Sequence, residues 1–173
     1  SGTSDVDVVD GQDFVARWLG GAQIFDDIGC SGCHTPLMPI SSSLYSTHAT
    51  LSGTTFTIDL AEHGARPHPT REDGVFLVPV FSDFKRHEMG EHLRAQHAEM
   101  GVPVGQYMTR RLWGLANTRP YTHLGSAVTF DEAIALHGGE GSEAAEPARR
   151  FGELREGQKA SVRVFLLSLR RAP

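Results

Sequence analysis

The chain has 173 residues, 39% of them hydrophobic, with 19 glycines, 9 prolines and a formal net charge of −5. That length makes one domain with at most a short arm, the acidic balance weighs against a nucleic-acid partner, and no apolar run is long enough to span a bilayer. The glycine and proline content predicts helices joined by long loops. Residues 1–10 are small, polar and acidic and read as a flexible lead-in, leaving 11–173 as a single domain. Asp10 suits a helix N-cap. The helix it opens carries Phe14, Val15 and Trp18 on one side, and Gly20-Gly21 is expected to break or kink it. Ile24, Phe25 and Ile28 then lead into Cys30-Ser31-Gly32-Cys33-His34.

Those five residues spell C-x-x-C-H, the attachment site of a c-type haem. Two thiols separated by two residues reach one porphyrin edge, and the neighbouring imidazole falls beneath the iron as proximal ligand. Cys30 and Cys33 are the only cysteines. A zinc site would need a second pair, and a thioredoxin-like dithiol would sit in a βαβ pattern that is not seen here. One covalently attached haem c is therefore expected, bound by Cys30, Cys33 and His34. Haem is attached in this way outside the bacterial inner membrane, so a periplasmic or extracytoplasmic location is expected. The start Ser1-Gly2-Thr3-Ser4 reads as processed or trimmed, with a targeting segment missing from this sequence.

Beyond His34, Pro36 and Pro39 force an extended path. Residues 55–59 alternate as a short strand, expected to pair with 75–80 as a small β-hairpin insertion, with a polar loop over 63–74 between them. A second helix is predicted from Ser82 to Met100, and residues 101–128 read as irregular haem-covering loop. Thr129-Phe130-Asp131-Glu132 is a capping box for a third helix that stops at Gly138-Gly139. Residues 140–148 read as a polar linker. The last helix runs from Glu156 to Arg170 with Val162, Phe165, Leu166 and Leu169 on one face and a basic end at Arg170-Arg171. The predicted fold class is mainly α: a cytochrome c-like haem domain with long loops and a small β-hairpin insertion.

Three segments resemble the haem-binding C-terminal portion of the di-haem oxidoreductase family, related to bacterial di-haem cytochrome c peroxidases. They are Gly29 to Pro36, Phe81 to Gly90 (similar to Y-S-D-x-x-x-H-D-M-G), and Leu112-Trp113-Gly114-Leu115 followed by Pro120 to Gly125 and Thr129 to Gly139. Two departures stand out. Met108-Thr109-Arg110-Arg111 replaces the family's Arg-Thr-Pro-Pro, and His123-Leu124-Gly125-Ser126 replaces His-Asp-Gly-Arg, losing an acid and a base. The family carries another haem in an N-terminal domain, whereas this sequence has one attachment site. The resemblance therefore implies the electron-transfer half alone, either an independent cytochrome or a domain of a longer protein.

The sixth iron position has four readings. By the resemblance, His137 aligns with the axial ligand of the electron-transferring haem, a methionine there. Met108 and Met89 are alternatives by ligand type. The fourth is an open position. Glycines beside His137 and Met89 are read as allowing close approach to the porphyrin. His87 and His92, five residues apart, diverge around a helix and read as solvated or supporting residues. Trp113 and Tyr121 are expected as haem-pocket walls, and Arg110 and Arg111 as either propionate partners or surface charges. The favoured function is a monohaem carrier of single electrons, with redox proteins or another haem domain as partners and no catalytic residues of its own. The alternative is a peroxidase-type enzyme or haem sensor with an open iron, using His87, Glu88 or His123 as acid–base group.

Overall fold

The computed structural model describes residues 11–47, 53–62, 68–98 and 100–170. The 1–10 lead-in, the Asp10 cap, Arg171 and residues 63–67 of the polar loop lie outside them. Four α-helices and seven short strands are described: α1 Gly11–Asp27, β1 Met38–Ile40, β2 Leu44–Ser46, β3 Thr57–Asp59, β4 Thr70–Glu72, β5 Val75–Val78, β6 Arg86–Glu88, β7 Gln106–Met108, α2 Phe130–Leu136, α3 Ala145–Glu153 and α4 Glu156–Ser168. This is a mixed α/β fold with several small antiparallel sheets, and it corrects the mainly α, cytochrome c-like expectation.

Helix α1 does not break at Gly20-Gly21. It continues because Gly21 is where it crosses α4: a Cβ there would overlap the Ser161 carbonyl. The α1/α4 contact is the most extensive between helices, and Trp18 Nε1–H donates to Ser168 Oγ across it at 2.9 Å. The expected apolar side of α1 is only partly used. Phe14 and Val15 stay exposed, while Phe25 and Ile28 join the core with Leu112, Tyr121, Phe130, Phe151 and the predicted α4 face of Val162, Phe165, Leu166 and Leu169.

The strands exist where β-branched residues suggested them, but they pair differently. β3 pairs with β2, Tyr45 opposite Ile58. β5 pairs with β1, Pro39 opposite Leu77, and with β4 in a hairpin turning at Asp73-Gly74. The single insertion hairpin is thus two separate sheets, with β1 delivered directly by the extended exit from His34. The helix predicted over 82–100 is absent. Phe81 and Phe84 hold positive φ (53° and 54°) and Gly90 lies at φ 68°, conformations a helix excludes. That segment instead forms β6, paired antiparallel with β7, and a 3-10 turn at Glu91–Leu93.

The capping box is as predicted. Thr129 Oγ1 accepts from the Glu132 amide, Glu132 accepts from the Thr129 amide, and α2 ends with His137 as its C-cap. The expected linker over 140–148 runs into α3, whose first turn holds Glu146. Within the described residues no helix is long and apolar enough to cross a membrane.

Candidate functional site

The C-x-x-C-H segment leaves α1 through Gly29, at φ 96° in the left-handed region that favours glycine. Cys30–Gly32 then forms a 3-10 turn, closed by the His34 amide donating to the Cys30 carbonyl at 3.0 Å. Ser31 Oγ donates to the Asp26 carboxylate at the end of α1. Both cysteines are half-buried free thiols. Burial, followed by the neighbouring Cys33, pushes the Cys30 thiol up to about 11. Burial also raises Cys33, aided by Asp83 and Glu143. A redox dithiol depends on a lowered thiolate pKa, so these neutral thiols fit a tether and not a nucleophile.

The turn is fixed by the segment 81–83, which runs alongside it. Phe81, Ser82 and Asp83 amides donate to the carbonyls of Pro36 (3.3 Å), Thr35 (2.9 Å) and Cys33 (2.9 Å). His34 Nδ1 donates to the Phe81 carbonyl at 3.2 Å, and its ring lies 6.3 Å from that of Phe25. Burial pushes the His34 ring down to about 4, with His137 lowering it further and the Phe81 and Arg110 backbones opposing. His137 contributes to that lowering although 103 positions of chain separate residues 34 and 137, which puts the two imidazoles in the same part of the fold.

His137 is held in the same manner as His34. Its Nδ1 donates to the Ala133 carbonyl at 2.7 Å, one turn back on α2. Burial lowers its pKa, and the Ala133 bond opposes the shift. Its Nε2 bonds no described residue. Since no buried side-chain nitrogen or oxygen among the described residues lacks a partner, that nitrogen is reachable from outside the packed core. The residues present therefore fit a haem: two neutral thiols in one turn, and two neutral imidazoles that each fix Nδ1 on a carbonyl, the arrangement that orients a metal-binding ring.

The family model described as di-haem oxidoreductase, putative peroxidase, matches residues 14–169. The chain belongs to this family. Membership makes it a haem-binding redox protein. No curated protein and no solved structure matches the chain significantly.

The other residues predicted from the sequence lie in distinct surroundings. Trp113 is half-buried against the core and its Nε1–H donates to the Pro79 carbonyl. Tyr121 is buried, its ring centroid 5.1 Å from that of Phe130, and its hydroxyl accepts from Arg119 Nε. Met108 sits in β7 opposite Arg86 and is 60% exposed. Met89 is half-buried and bridges Ser142 through its backbone. Arg110 and Arg111 are exposed, and the Arg110 backbone reaches His34. His123 is exposed with its ring 5.0 Å from that of Tyr107.

Two features escaped the sequence. The Phe81 carbonyl, which orients His34, is a backbone group with no sequence signal. The second is a cluster in which His87 Nε2 lies 2.9 Å from Asp83 Oδ2 and its Nδ1 lies 2.8 Å from Glu143 Oε2. The Asp83-to-His87 spacing was visible as a motif, but Glu143, 56 residues onward, was not. Among the described residues no group of three or more His, Cys, Asp or Glu side chains is arranged to hold a metal ion.

Proposed function

We propose that this protein is a single-electron carrier in which one haem c is tethered by Cys30 and Cys33 and ligated by His34 and His137. The observation that carries this reading is that His34 and His137 are half-buried imidazoles held neutral by their surroundings, each with Nδ1 anchored on a carbonyl. When bound, the haem supplies a ferric/ferrous couple that takes up and releases one electron. His34 keeps its proton on Nδ1 through Phe81, leaving Nε2 the ligating nitrogen, and His137 does the same through Ala133. Burial keeps both rings in the neutral form that a metal requires. Rings held in this way need little rearrangement between oxidation states. A bis-histidine pair also gives a lower potential than a histidine–methionine pair.

The order of the motifs supports assignment to the C-terminal, electron-transferring portion related to di-haem cytochrome c peroxidases, with an extracytoplasmic location and a redox protein or second haem domain as partner. The peroxidase reading needs an open iron and an unencumbered acid–base group. Of its candidates, His87 is already bonded to two carboxylates and His123 is exposed.

Optical and low-temperature magnetic resonance spectra of the haem-loaded protein and His137→Ala test the reading. A low-spin wild type without a methionine-to-iron band, turning high-spin in the variant, is expected. An unchanged variant spectrum removes His137 as ligand. A methionine band transfers the role to Met108 or Met89, and a high-spin wild type that turns over peroxide establishes the enzyme instead.

A further inference from the structure

His87 joins the two histidine-bearing loops. On one side it bonds Asp83, whose amide donates to the Cys33 carbonyl next to His34. On the other it bonds Glu143, in the loop that leaves α2 just after His137. Both ring nitrogens face carboxylate oxygens, which only accept, so the bonded form is the imidazolium. Glu143 also accepts from the Glu88 amide at 2.9 Å, and its own amide donates to the Glu88 carbonyl at 2.8 Å.

The backbones of the two loops interlock at the same place. A Cβ on Gly90 would lie 2.5 Å from the Glu140 carbonyl oxygen and 2.8 Å from the Ser142 nitrogen. One on Gly139 would lie 2.8 Å from the His92 nitrogen. Gly90 and Gly139 thus bring these loops onto each other.

Resting on the His34/His137 reading, we propose that Asp83, His87 and Glu143 form a latch holding the His137 loop against the haem-motif loop, with His87 as the positioning residue for the second axial ligand. The Glu143 carboxyl is held below its usual range chiefly by its bond to His87, while the like charge of Asp83 opposes. His87 converts that repulsion into two charge-assisted bonds. Removing the ring therefore does more than delete contacts: it leaves two like charges on opposite sides of the joint with no cation between them, and the joint loosens around its remaining backbone bonds.

The test compares four haem-loaded proteins: wild type, His87→Ala, Glu143→Gln and Ser168→Ala. Glu143→Gln retains an acceptor for the Glu88 amide and lets a neutral His87 accept from the new amide while donating to Asp83, so the latch survives. Ser168→Ala loses the Trp18 bond between α1 and α4, far from the joint in the chain, and serves as a stability control. In His87→Ala, ferric cyanide association is expected to rise about tenfold, the factor one charge-assisted bond carries in an equilibrium. A high-spin fraction appears, and amide exchange over 137–143 accelerates. Glu143→Gln stays near wild type, and Ser168→Ala lowers Tm without moving spin state or cyanide rate.

A wild-type spin state and cyanide rate in His87→Ala overturn the latch, as does an equal change in Ser168→Ala. If His137→Ala itself leaves the spectrum unchanged, the ligand reading fails separately. Amide exchange then decides: faster exchange confined to 33–36 and 137–143 retains the latch, and unaltered exchange there removes it.

Discussion

The Ser82 side chain has no solvent exposure and serves two backbone groups at once. Its Oγ donates to the Thr109 carbonyl at 2.8 Å and accepts from the Phe84 amide at 3.0 Å. It thereby pins the 81–83 segment, which orients His34, to the end of β7. Ser82→Ala keeps the space filled but leaves both partners in a buried position, and is expected to cost about 1–3 kcal/mol. Urea unfolding reads that loss directly, and a loss below about 0.5 kcal/mol would mean that solvent reaches the freed groups. The sequence places Ser82 at the start of a predicted helix, and its Oγ does accept from an amide two residues on. It misread the element being capped, because a serine that begins a helix and one that opens a loop carry the same local signal. The C-x-x-C-H motif lies within five residues and needs no long-range information to be read. The Phe81 and Glu143 partners have no such local signal, since long-range geometry decides them.

Helix α1 contains adjacent glycines with opposite roles. Both carry the helix-interior penalty of glycine. At Gly20 a Cβ meets nothing within 4 Å, so Gly20→Ala is expected to stabilise by about 1 kcal/mol. At Gly21 a Cβ meets α4 backbone, so Gly21→Ala is expected to destabilise by about 2 kcal/mol or more as the two helices are forced apart. Thermal unfolding of both variants tests the crossing, and two shifts of the same sign would refute it. Local propensity reads these positions alike, which is why the sequence suggested a break where the structure has a close helix pair.

Helix α2, which carries His137, is tied to α4 by Arg163, bonded to both Asp131 oxygens at 2.8 and 2.6 Å. The Arg163 bond lowers the Asp131 pKa against the opposing effect of burial. A depressed carboxyl stabilises the fold above its unfolded value of about 3.9 and loses that contribution as pH falls through the lower folded value. Both partners are about one-third exposed, which limits the pair to roughly 1 kcal/mol. Asp131→Asn is therefore expected to lower Tm at pH 6 but to match wild type in strong acid, and a Tm gap that persists at low pH would assign the loss to packing instead.

Across the whole molecule, the helices with strong local signals were the ones the sequence read well: the capping box of α2 and the apolar face of α4. The strands are three or four residues long and pair over long separations. Such segments show no dependable period, and their partners are chosen by the path of the chain away from His34. The proposed haem tether belongs to this largest scale, because the C-x-x-C-H turn adjoins the same core that α1 and α4 enclose through Phe25, Phe81 and Phe165. A group held only by axial ligands stabilises by mass action, so its effect depends on how much free haem is present. A covalently held group cannot leave, and its effect does not depend on free haem. The wild type is therefore expected to show the mass of one haem per chain and a Tm indifferent to added haem. In the Cys30→Ser, Cys33→Ser variant, haem should separate from the polypeptide in acidified solvent, and Tm should climb with haem concentration by about 1.4 kcal/mol of stability for each tenfold increase above the dissociation constant. A wild-type mass equal to the bare polypeptide would remove the tether, and a haem-indifferent double variant would show that the two imidazoles do not hold haem by themselves.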